Sequence, residues 1–172
     1  QMCIRDRFIT LPNKSLRTLL TGGDKLRKYV PTNYRLVNNY GPTENTVVST
    51  NYWVNAENKN IPIGKPIDNV RAYVIDKYHS LVPIGICGEL AVSGENLARG
   101  YIHNEELTKE KFVENPFEPG KKMYLTGDIV RWRKDGNIEY IGRLDNQVKI
   151  RGNRVEIGEI EQAALQHVEI LS

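Results

Sequence analysis

Four short segments between residues 60 and 144 restrict what this chain can fold into. Each is six or seven residues long, and turns that contain Gly, Pro or Asp separate them: RAYVID (71–76), GELAVSG (88–94), DIVRWR (128–133) and NIEYIG (137–142). Short strand-like segments between turn residues are typical of barrels and sandwiches. The last two flank Asp135 and Gly136, a dipeptide that favours a tight hairpin turn. The sequence therefore predicts a β-rich barrel or sandwich that contains this hairpin.

The residues before position 60 follow a different pattern. LRTLLTGG (16–23) is a short apolar run closed by glycines, and YRLVNNY (34–40) reads as a buried strand. Between them, DKLRKYVP (24–31) predicts a helix that Pro31 ends, because proline cannot continue a helix. An order of strand, loop, helix and strand indicates the edge of an α/β layer.

Two further helices are predicted. NEELTKEKF (104–112) interrupts the strands, with Asn104 or Thr108 as its capping residue. GEIEQAALQHV (158–168) follows a strand, QVKIRG (147–152), and carries Ile160, Ala164 and Leu165 on one face. We therefore predict a mixed α/β fold, and the last βα unit without a closing partner indicates a fragment of a larger domain.

Charge and cysteine content exclude several kinds of partner. The 24 basic and 21 acidic residues give a net charge of +3 and are interspersed along the chain. Without a basic block, we expect neither nucleic acid nor an anionic membrane as a partner. No apolar run approaches the roughly 20 residues that span a bilayer. Cys3 and Cys87 lie in no metal-ligand spacing, so a protein metal cage is not expected and a cytoplasmic location is the default.

The stretch NNYGPTENT (38–46) is the candidate site. Gly41-Pro42 alone marks a turn, beside which Tyr40 would be a core aromatic and Thr43 and Glu44 would be solvated. The same residues also offer a ring for stacking on a base, a hydroxyl, and a carboxylate of the kind that binds Mg²⁺. From these residues alone, both interpretations stay open.

Five motifs in order resemble the core motifs of nonribosomal peptide synthetase adenylation domains, which are members of the adenylate-forming, AMP-binding superfamily. They are LRTLLTGGDKL (16–26), NNYGPTENTVV (38–48), PIGKPIDN (62–69), GELAVSGENLARGY (88–101) and YLTGDIVRWRKDGNIEYIGRLDNQVKIRGNRVEIGEIE (124–161). The resemblance implies an α/β layer that ends near residue 59, a distorted β-barrel subdomain over 60–144, and the start of a small α+β C-terminal subdomain at 145–172. Residues 8–144 would then be the C-terminal part of a large core, and residues 1–7 do not match.

The resemblance also implies an activity. Such a domain uses ATP and Mg²⁺ to convert an amino acid to an aminoacyl-AMP, and then passes the acyl group to the phosphopantetheine thiol of a peptidyl carrier protein domain. The expected partners are the amino acid, that carrier domain and neighbouring synthetase modules. As an internal fragment, the isolated chain is expected to be inactive.

The family's ATP and Mg²⁺ residues transfer to seven positions: Asn39, Tyr40, Gly41, Thr43, Glu44, Asp128 and Arg143. By resemblance, Tyr40 stacks on adenine and Asp128 receives hydrogen bonds from the ribose hydroxyls, while Arg143 contacts the ribose and phosphate region. Thr43 and Glu44 form the catalytic pair, with Glu44 as the metal ligand. For each residue the competing interpretation is structural: core packing for Tyr40, a turn for Asp128, and a surface charge for Arg143.

The remaining assignments concern the substrate and the moving parts. By resemblance, the amino-acid pocket is lined in part by Leu20, Gly22, Asn39, Val47 and Val48. Asp145 is the hinge between the subdomains, and Gly152 lies in the loop that admits the pantetheine arm, with Lys149 and Arg151 as further contacts. SGENLARGY (93–101) is interpreted as a structural turn, and Tyr140 as hairpin packing.

Two alternatives stay open at this point. One is a D-alanine carrier-protein ligase or an acyl- or aryl-acid ligase of the same superfamily, although QVKIRGNRVEIGEIE (147–161) favours the peptide-synthetase branch. The other is a non-catalytic nucleotide-binding or structural remnant. The sequence does not identify the amino acid.

Overall fold

The structure, a computed structural model, describes residues 13–26, 29, 31–55, 60–145, 147–150, 153–155, 160 and 163–165. The predicted pantetheine-loop residue Gly152, its neighbour Arg151 and the leader 1–7 lie outside the described residues. Of the predicted C-terminal helix, residues 160 and 163–165 are described and are helical. Ile160 and Leu165, on its predicted apolar face, are 57% and 55% exposed.

The first sheet is mixed and has the strand order β1-β2-β3-β4. β1 (Thr18–Thr21) runs parallel to β2 (Arg35–Tyr40), which pairs antiparallel with β3 (Thr50–Val54), and β4 (Lys65–Pro66) closes the edge. Leu36 of β2 and Val54 of β3 are buried in one cluster with Leu26 and Ile61. The buried strand that the sequence predicts at the α/β edge is therefore present, at residues 35–40.

The helix predicted over 24–31 is wrong for its described residues. Asp24, Lys25, Leu26 and Tyr29 adopt no helical conformation. The Lys25 N–H donates to the Asp24 side chain at 2.6 Å, a local bond that competes with helix formation. Leu26 is only 2% exposed, so the segment is fixed by tertiary packing and not by helix propensity.

The second sheet is antiparallel and has five strands: β5 (Val70–Ile75), β6 (Gly88–Gly94), β7 (Phe112–Glu114), β8 (Lys122–Trp132) and β9 (Ile138–Arg143). The long strand β8 changes partner along its length. Its first residues pair with β7 and its last with β9, while β6 pairs on the other side. Gly127, at φ +71°, stands where the partner changes, and the sheet curls into a half-barrel. The predicted barrel and hairpin are thereby confirmed.

The interior of the half-barrel is apolar and aromatic. Phe112 and Tyr124 pack at 5.1 Å between ring centroids, among fully buried Val74, Leu90 and Val130. Outside it lies α1 (Glu105–Lys111), whose N-cap is Asn104: the Leu107 N–H donates to its side chain at 3.0 Å. Of the two predicted caps, Asn104 is therefore the one used. A separate antiparallel pair, β10 (Val148–Ile150) and β11 (Asn153–Val155), follows β9 in the chain. β10 lies within the strand predicted at 147–152, whose residues 151 and 152 lie outside the described residues.

The two large sheets meet at Gly64 and Ile138. The Ile63 N–H donates to the Ile138 carbonyl at 2.9 Å, and the Ile138 N–H donates to the Gly64 carbonyl at 2.7 Å. These bonds join the segment before β4 to the start of β9. The carboxyl end of β2 is thus brought against the half-barrel, and this is where the candidate site lies.

Candidate functional site

The loop after β2 folds back on the strand and needs a glycine to do so. The Ser49 N–H donates to the Tyr40 carbonyl at 2.7 Å, and Thr43–Asn45 form one turn of 3₁₀ helix. A Cβ on Gly41 would lie 2.5 Å from the Val47 carbonyl oxygen and 2.8 Å from the Ser49 nitrogen. The turn interpretation of this stretch is therefore correct, and it leaves the site interpretation open.

Tyr40 belongs to the core and also borders the candidate site. It is 8% exposed and belongs to the main core cluster, yet its hydroxyl donates to Asp128 Oδ2. Burial, followed by the negative charge of Asp128, holds the pKa of Tyr40 well above its ordinary value. The hydroxyl therefore stays protonated and donates to the Asp128 carboxylate.

Arg143, at the end of β9, connects three acceptors. Its Nη1 donates to Asp128 Oδ1 at 3.0 Å and to the Thr126 carbonyl at 2.8 Å, and its Nε donates to Asp145 Oδ1 at 2.8 Å. Burial acts to lower the pKa of Arg143, but the hydrogen bonds to Asp145 and the charge of Asp128 outweigh it and raise the pKa. A Cβ on Gly127 would lie 2.9 Å from Arg143 Nη2, so the glycine makes room for the guanidinium.

Asp145 lies directly after β9, at the predicted hinge. Its side chain is 45% exposed and forms a two-point pair with Arg143, through Nε and Nη2. It also accepts the Gln147 N–H at 3.2 Å. Burial acts to raise the pKa of Asp145, but the hydrogen bonds and charge of Arg143 outweigh it, and the pKa lies below its ordinary value. Asp145, three residues before β10, is thus connected through Arg143 to the same network as Tyr40.

A cavity of about 190 Å³ opens beside this network. Four residues assigned by resemblance to the cofactor line it: Asn39, Tyr40, Gly41 and Arg143. Asp128, only 3% exposed, stands behind Tyr40 and Arg143, and neither Thr43 nor Glu44 lines the cavity. The structure therefore brings the predicted nucleotide residues together and sets the catalytic pair apart from them.

The sequence missed several residues of the cavity wall. They are Gly23, Asp24, Lys25, Leu26, Asn38, Ile61, Ile63, Tyr140 and Gln147. Tyr140, predicted to pack within the hairpin, does pack against the main core cluster, and it also lines the cavity. Strict alternation along β9 would put Tyr140 and Arg143 on opposite faces, but a bulge pairs Val130 with Tyr140 and Asp128 with Arg143, so both side chains share one face. A bulge leaves no signal in the hairpin's own alternation.

Glu44 and Thr43 differ in exposure. Thr43 is exposed, whereas Glu44 is 7% exposed and its Oε1 accepts the Tyr101 hydroxyl at 2.7 Å. Burial is the main cause of a raised pKa of Tyr101, and the hydrogen bonds to Tyr124 and Glu44 raise this pKa further. The Tyr101 hydroxyl therefore keeps the proton that it donates. The solvated-turn interpretation of Glu44 is therefore wrong, while that of Thr43 agrees with the structure.

The predicted amino-acid pocket residues surround the ends of β1 and β2. A Cβ on Gly22 would lie 3.0 Å from the Asn39 carbonyl oxygen, so the two backbones are close. Leu20 and Val47 are 64% and 75% exposed, and Val48 is half-buried. Leu20 and Val47 therefore present apolar side chains at the surface.

Two features are absent from the part of the chain that the structure describes. Within it, no group of three or more His, Cys, Asp and Glu side chains could hold a metal ion. No helix among the same residues is long and apolar enough to cross a membrane.

Comparison with known proteins identifies the family. A sequence model of the AMP-binding enzyme family matches residues 2–102. Bacitracin synthase 1 of Bacillus licheniformis is 56% identical over 165 residues, which is 96% of this chain and 3% of that protein. Surfactin synthase subunit 2 of Bacillus subtilis (strain 168) is 50% identical over 167 residues, covering 97% of this chain and 5% of that protein. This chain therefore spans only a small part of those relatives.

A solved structure shares the fold. Holo-PA1221, described as an NRPS protein containing adenylation and PCP domains bound to a vinylsulfonamide inhibitor, superposes with a TM-score of 0.79 at 34% identity. The match covers 87% of this chain and 28% of that one. The resemblance inferred from the five motifs is thereby confirmed, and this chain belongs to the AMP-binding enzyme family.

Proposed function

We propose that this chain is part of an adenylation domain that activates an amino acid with ATP and loads it onto a carrier protein in the cytoplasm. The observation that carries the proposal is the network from Tyr40 through Asp128 to Arg143, at the wall of a cavity. Two charged groups and a phenol converge there from strands of different sheets. The likeness to adenylation domains supports the same conclusion.

The network suits the sugar and base of a nucleotide. A carboxylate buried beside an arginine accepts hydrogen bonds strongly, which is what ribose hydroxyls require. In this proposal, Asp128 binds the ribose, Tyr40 offers its ring to adenine, and Arg143 contacts the ribose and phosphate region. Asn39 and the backbone at Gly41 complete that wall, and Tyr140 joins them on structural grounds.

Glu44 fits a Mg²⁺ ion whose other ligands come from the nucleotide and water. Mg²⁺ keeps several waters and takes one or two protein carboxylates together with substrate phosphates. Glu44 supplies one such carboxylate and is only 7% exposed. When bound, the ion neutralises negative charge on the phosphate oxygens. Thr43, exposed next to Glu44, can donate its hydroxyl to a phosphate.

Two chemical steps follow from this assignment. In the first, a carboxylate oxygen of the amino acid attacks the α-phosphorus of ATP, the bond to the bridging oxygen breaks, and pyrophosphate leaves. In the second, the carrier's pantetheine sulfur attacks the acyl carbon, AMP leaves with the electron pair, and the thiol proton is released. Leu20, Gly22, Asn39, Val47 and Val48 would face the amino acid in the first step. Asp145 is the proposed hinge between the steps, and Gly152 is proposed to face the pantetheine arm.

The test uses the full adenylation domain that carries this sequence. Exchange of labelled pyrophosphate into ATP is measured with each of the twenty proteinogenic amino acids, with D-alanine, and with simple acyl and aryl acids. We expect exchange that depends on one or a few amino acids, AMP as the nucleotide product, and a mass shift on a pantetheine-bearing carrier but not on its unmodified form. Exchange with acyl or aryl acids alone, or exchange with D-alanine only, would assign another ligase of the superfamily. No exchange with any acid would contradict the proposal.

Replacing Tyr40 with phenylalanine separates its hydroxyl from its ring. The variant keeps a ring for stacking but loses the bond to Asp128, and hydrogen bonds to charged groups contribute about 1.5–3 kcal/mol. We therefore expect the KM for ATP in the exchange assay to rise roughly tenfold. Tyr52→Phe, on the neighbouring strand β3 and outside the cavity wall, is the matched control and should keep the wild-type KM. An unchanged KM in Tyr40→Phe would exclude a role for the hydroxyl.

A further inference from the structure

A segment of the half-barrel that the proposed function leaves without a role contacts the loop that carries Glu44. We define it as the 95–101 loop. The Ala98 N–H donates to the Glu44 carbonyl at 2.8 Å, and the Thr46 hydroxyl donates to the Asn96 carbonyl at 2.8 Å. The Tyr101 hydroxyl donates to the Glu44 carboxylate itself. Glu44 is thus held at both its main chain and its side chain by one loop.

Tyr101 is itself fixed from the other side. Its N–H donates to the Thr108 hydroxyl of α1 at 2.9 Å, and its ring meets Phe112 edge-on at 5.5 Å between centroids. Gly100, at φ +144°, lets the loop approach this helix, since a Cβ there would lie 2.4 Å from Thr108 Cγ2. The position of the Tyr101 hydroxyl therefore depends on the core of the half-barrel.

The backbone next to Glu44 also needs support from outside. Thr46 has φ +59°, a conformation that β-branched residues rarely adopt. Such a conformation persists only where surrounding contacts hold it, and the bond from Thr46 to Asn96 is one of them. Without the 95–101 loop, the turn that carries Glu44 would lose a hydrogen bond that stabilises this backbone conformation.

We propose that Tyr101 is a positioning residue that orients the Glu44 carboxylate toward a divalent cation. This inference rests on the proposed function, in which Glu44 binds Mg²⁺. Mg²⁺ demands near-ideal octahedral geometry, so a single protein carboxylate serves it well only when its direction is fixed. A bond to one carboxylate oxygen supplies that direction, and outer partners of metal ligands commonly set metal affinity in this way. SGENLARGY is then part of the site, where the sequence indicated only a turn.

The test measures the affinity for a metal probe directly. Mn²⁺ is titrated into the full adenylation domain with a non-hydrolysable ATP analogue, and free Mn²⁺ is followed by electron paramagnetic resonance. For Tyr101→Phe we expect Mn²⁺ affinity to fall about tenfold, the lower end of the effect of losing an outer partner of a metal ligand. The Mg²⁺ concentration that half-saturates pyrophosphate exchange should rise by the same factor, while the rate at saturating Mg²⁺ stays near wild type.

Tyr73→Phe is the matched control, because Tyr73 is another half-buried tyrosine of the half-barrel, and its hydroxyl bonds to Asn115 instead. It should leave Mn²⁺ affinity unchanged. Thr108→Val, which removes the bond to the Tyr101 N–H, provides a second variant and should lower the affinity in the same direction. Wild-type affinity in Tyr101→Phe would overturn the inference, whatever the result for Thr108→Val.

Glu44→Gln distinguishes the two levels of the proposal. If it weakens Mn²⁺ binding while Tyr101→Phe does not, Glu44 is the metal ligand and only the role of Tyr101 is refuted. If Glu44→Gln also binds Mn²⁺ like wild type, the metal assignment fails, and the inference about Tyr101 fails with it.

Discussion

Asp128→Ala in the full adenylation domain is expected to lower kcat/KM for ATP by about 100-fold or more. Hydrogen bonds to charged groups contribute about 1.5–3 kcal/mol each, and two ribose hydroxyls would lose their acceptor. Each 1.4 kcal/mol is about a factor of ten. The variant also deprives the buried Tyr40 hydroxyl and Arg143 of a partner, which disturbs the cavity wall. Pyrophosphate exchange at varied ATP measures the loss.

Glu139→Ala is the matched control for Asp128→Ala. Glu139 is a carboxylate of the same hairpin, has a side chain that is 8% exposed, and pairs with Arg131 at 2.9 Å. Its partner Arg131 does not line the cavity, whereas Tyr40 and Arg143, the partners of Asp128, do. Removal of Glu139 should therefore affect stability and leave the KM for ATP near wild type. Equal ATP kinetics in the two variants would contradict a nucleotide role for Asp128.

Deoxynucleotides give the Asp128 prediction a second readout. Wild-type enzyme should use 2′-deoxy-ATP and 3′-deoxy-ATP less well than ATP, because each lacks one hydroxyl that Asp128 would accept. Asp128→Ala should lose most of this discrimination, since neither hydroxyl then has its partner. Discrimination that survives in Asp128→Ala would place the ribose contact elsewhere. Glu44→Ala should reduce exchange with ATP while it leaves the discrimination between sugars intact.

The sequence predicted the elements of the site better than their connections. NNYGPTENT was recognisable because it concentrates a ring, a glycine and a carboxylate within a few residues. The bond from Tyr40 to Asp128, in contrast, spans 88 positions, and that from Tyr101 to Glu44 spans 57. Such contacts depend on how two sheets meet, and local patterns do not carry that information. Local patterns therefore indicate only a turn at Tyr101.

Departures from the sequence patterns have local physical causes. Alternation along β9 fails at one bulge, and this moves Tyr140 onto the face of Arg143. The predicted helix at 24–31 fails because Leu26 is anchored in the core and the Asp24 side chain bonds to the backbone. Strands were easier to predict: β5, β6 and β9 coincide to within one residue with the segments predicted between turns, and β8 begins six residues before its predicted segment. Propensity and periodicity thus predict the elements, whereas packing decides the exceptions.

Gly64→Ala is expected to have the largest effect on folding. Gly64 has φ +91°, and a Cβ there would lie 1.7 Å from the Asn51 carbonyl oxygen and 2.7 Å from the Tyr52 nitrogen. Backbone atoms of β3 cannot move aside without breaking their pairing with β2. The full domain should lose more than about 4 kcal/mol of unfolding free energy, a loss reserved for severe steric or packing defects. Urea unfolding followed by circular dichroism measures this loss, and failure to obtain folded protein is its extreme form.

Gly85→Ala isolates the clash from the backbone strain. Gly85 has nearly the same φ, +89°, but a Cβ there would meet nothing within 4 Å. Its replacement should therefore lower the unfolding free energy by only about 1–2 kcal/mol, which is the cost of placing an L-residue in the left-handed conformation. Similar losses in the two variants would refute the steric argument. A several-fold difference between the two losses of unfolding free energy would support it, and would mark Gly64 as the point where the two sheets must be in contact.

Ile63 and Tyr140, which line the cavity on either side of this junction, depend on that contact. Any folded Gly64→Ala domain should accordingly bind ATP more weakly than Gly85→Ala.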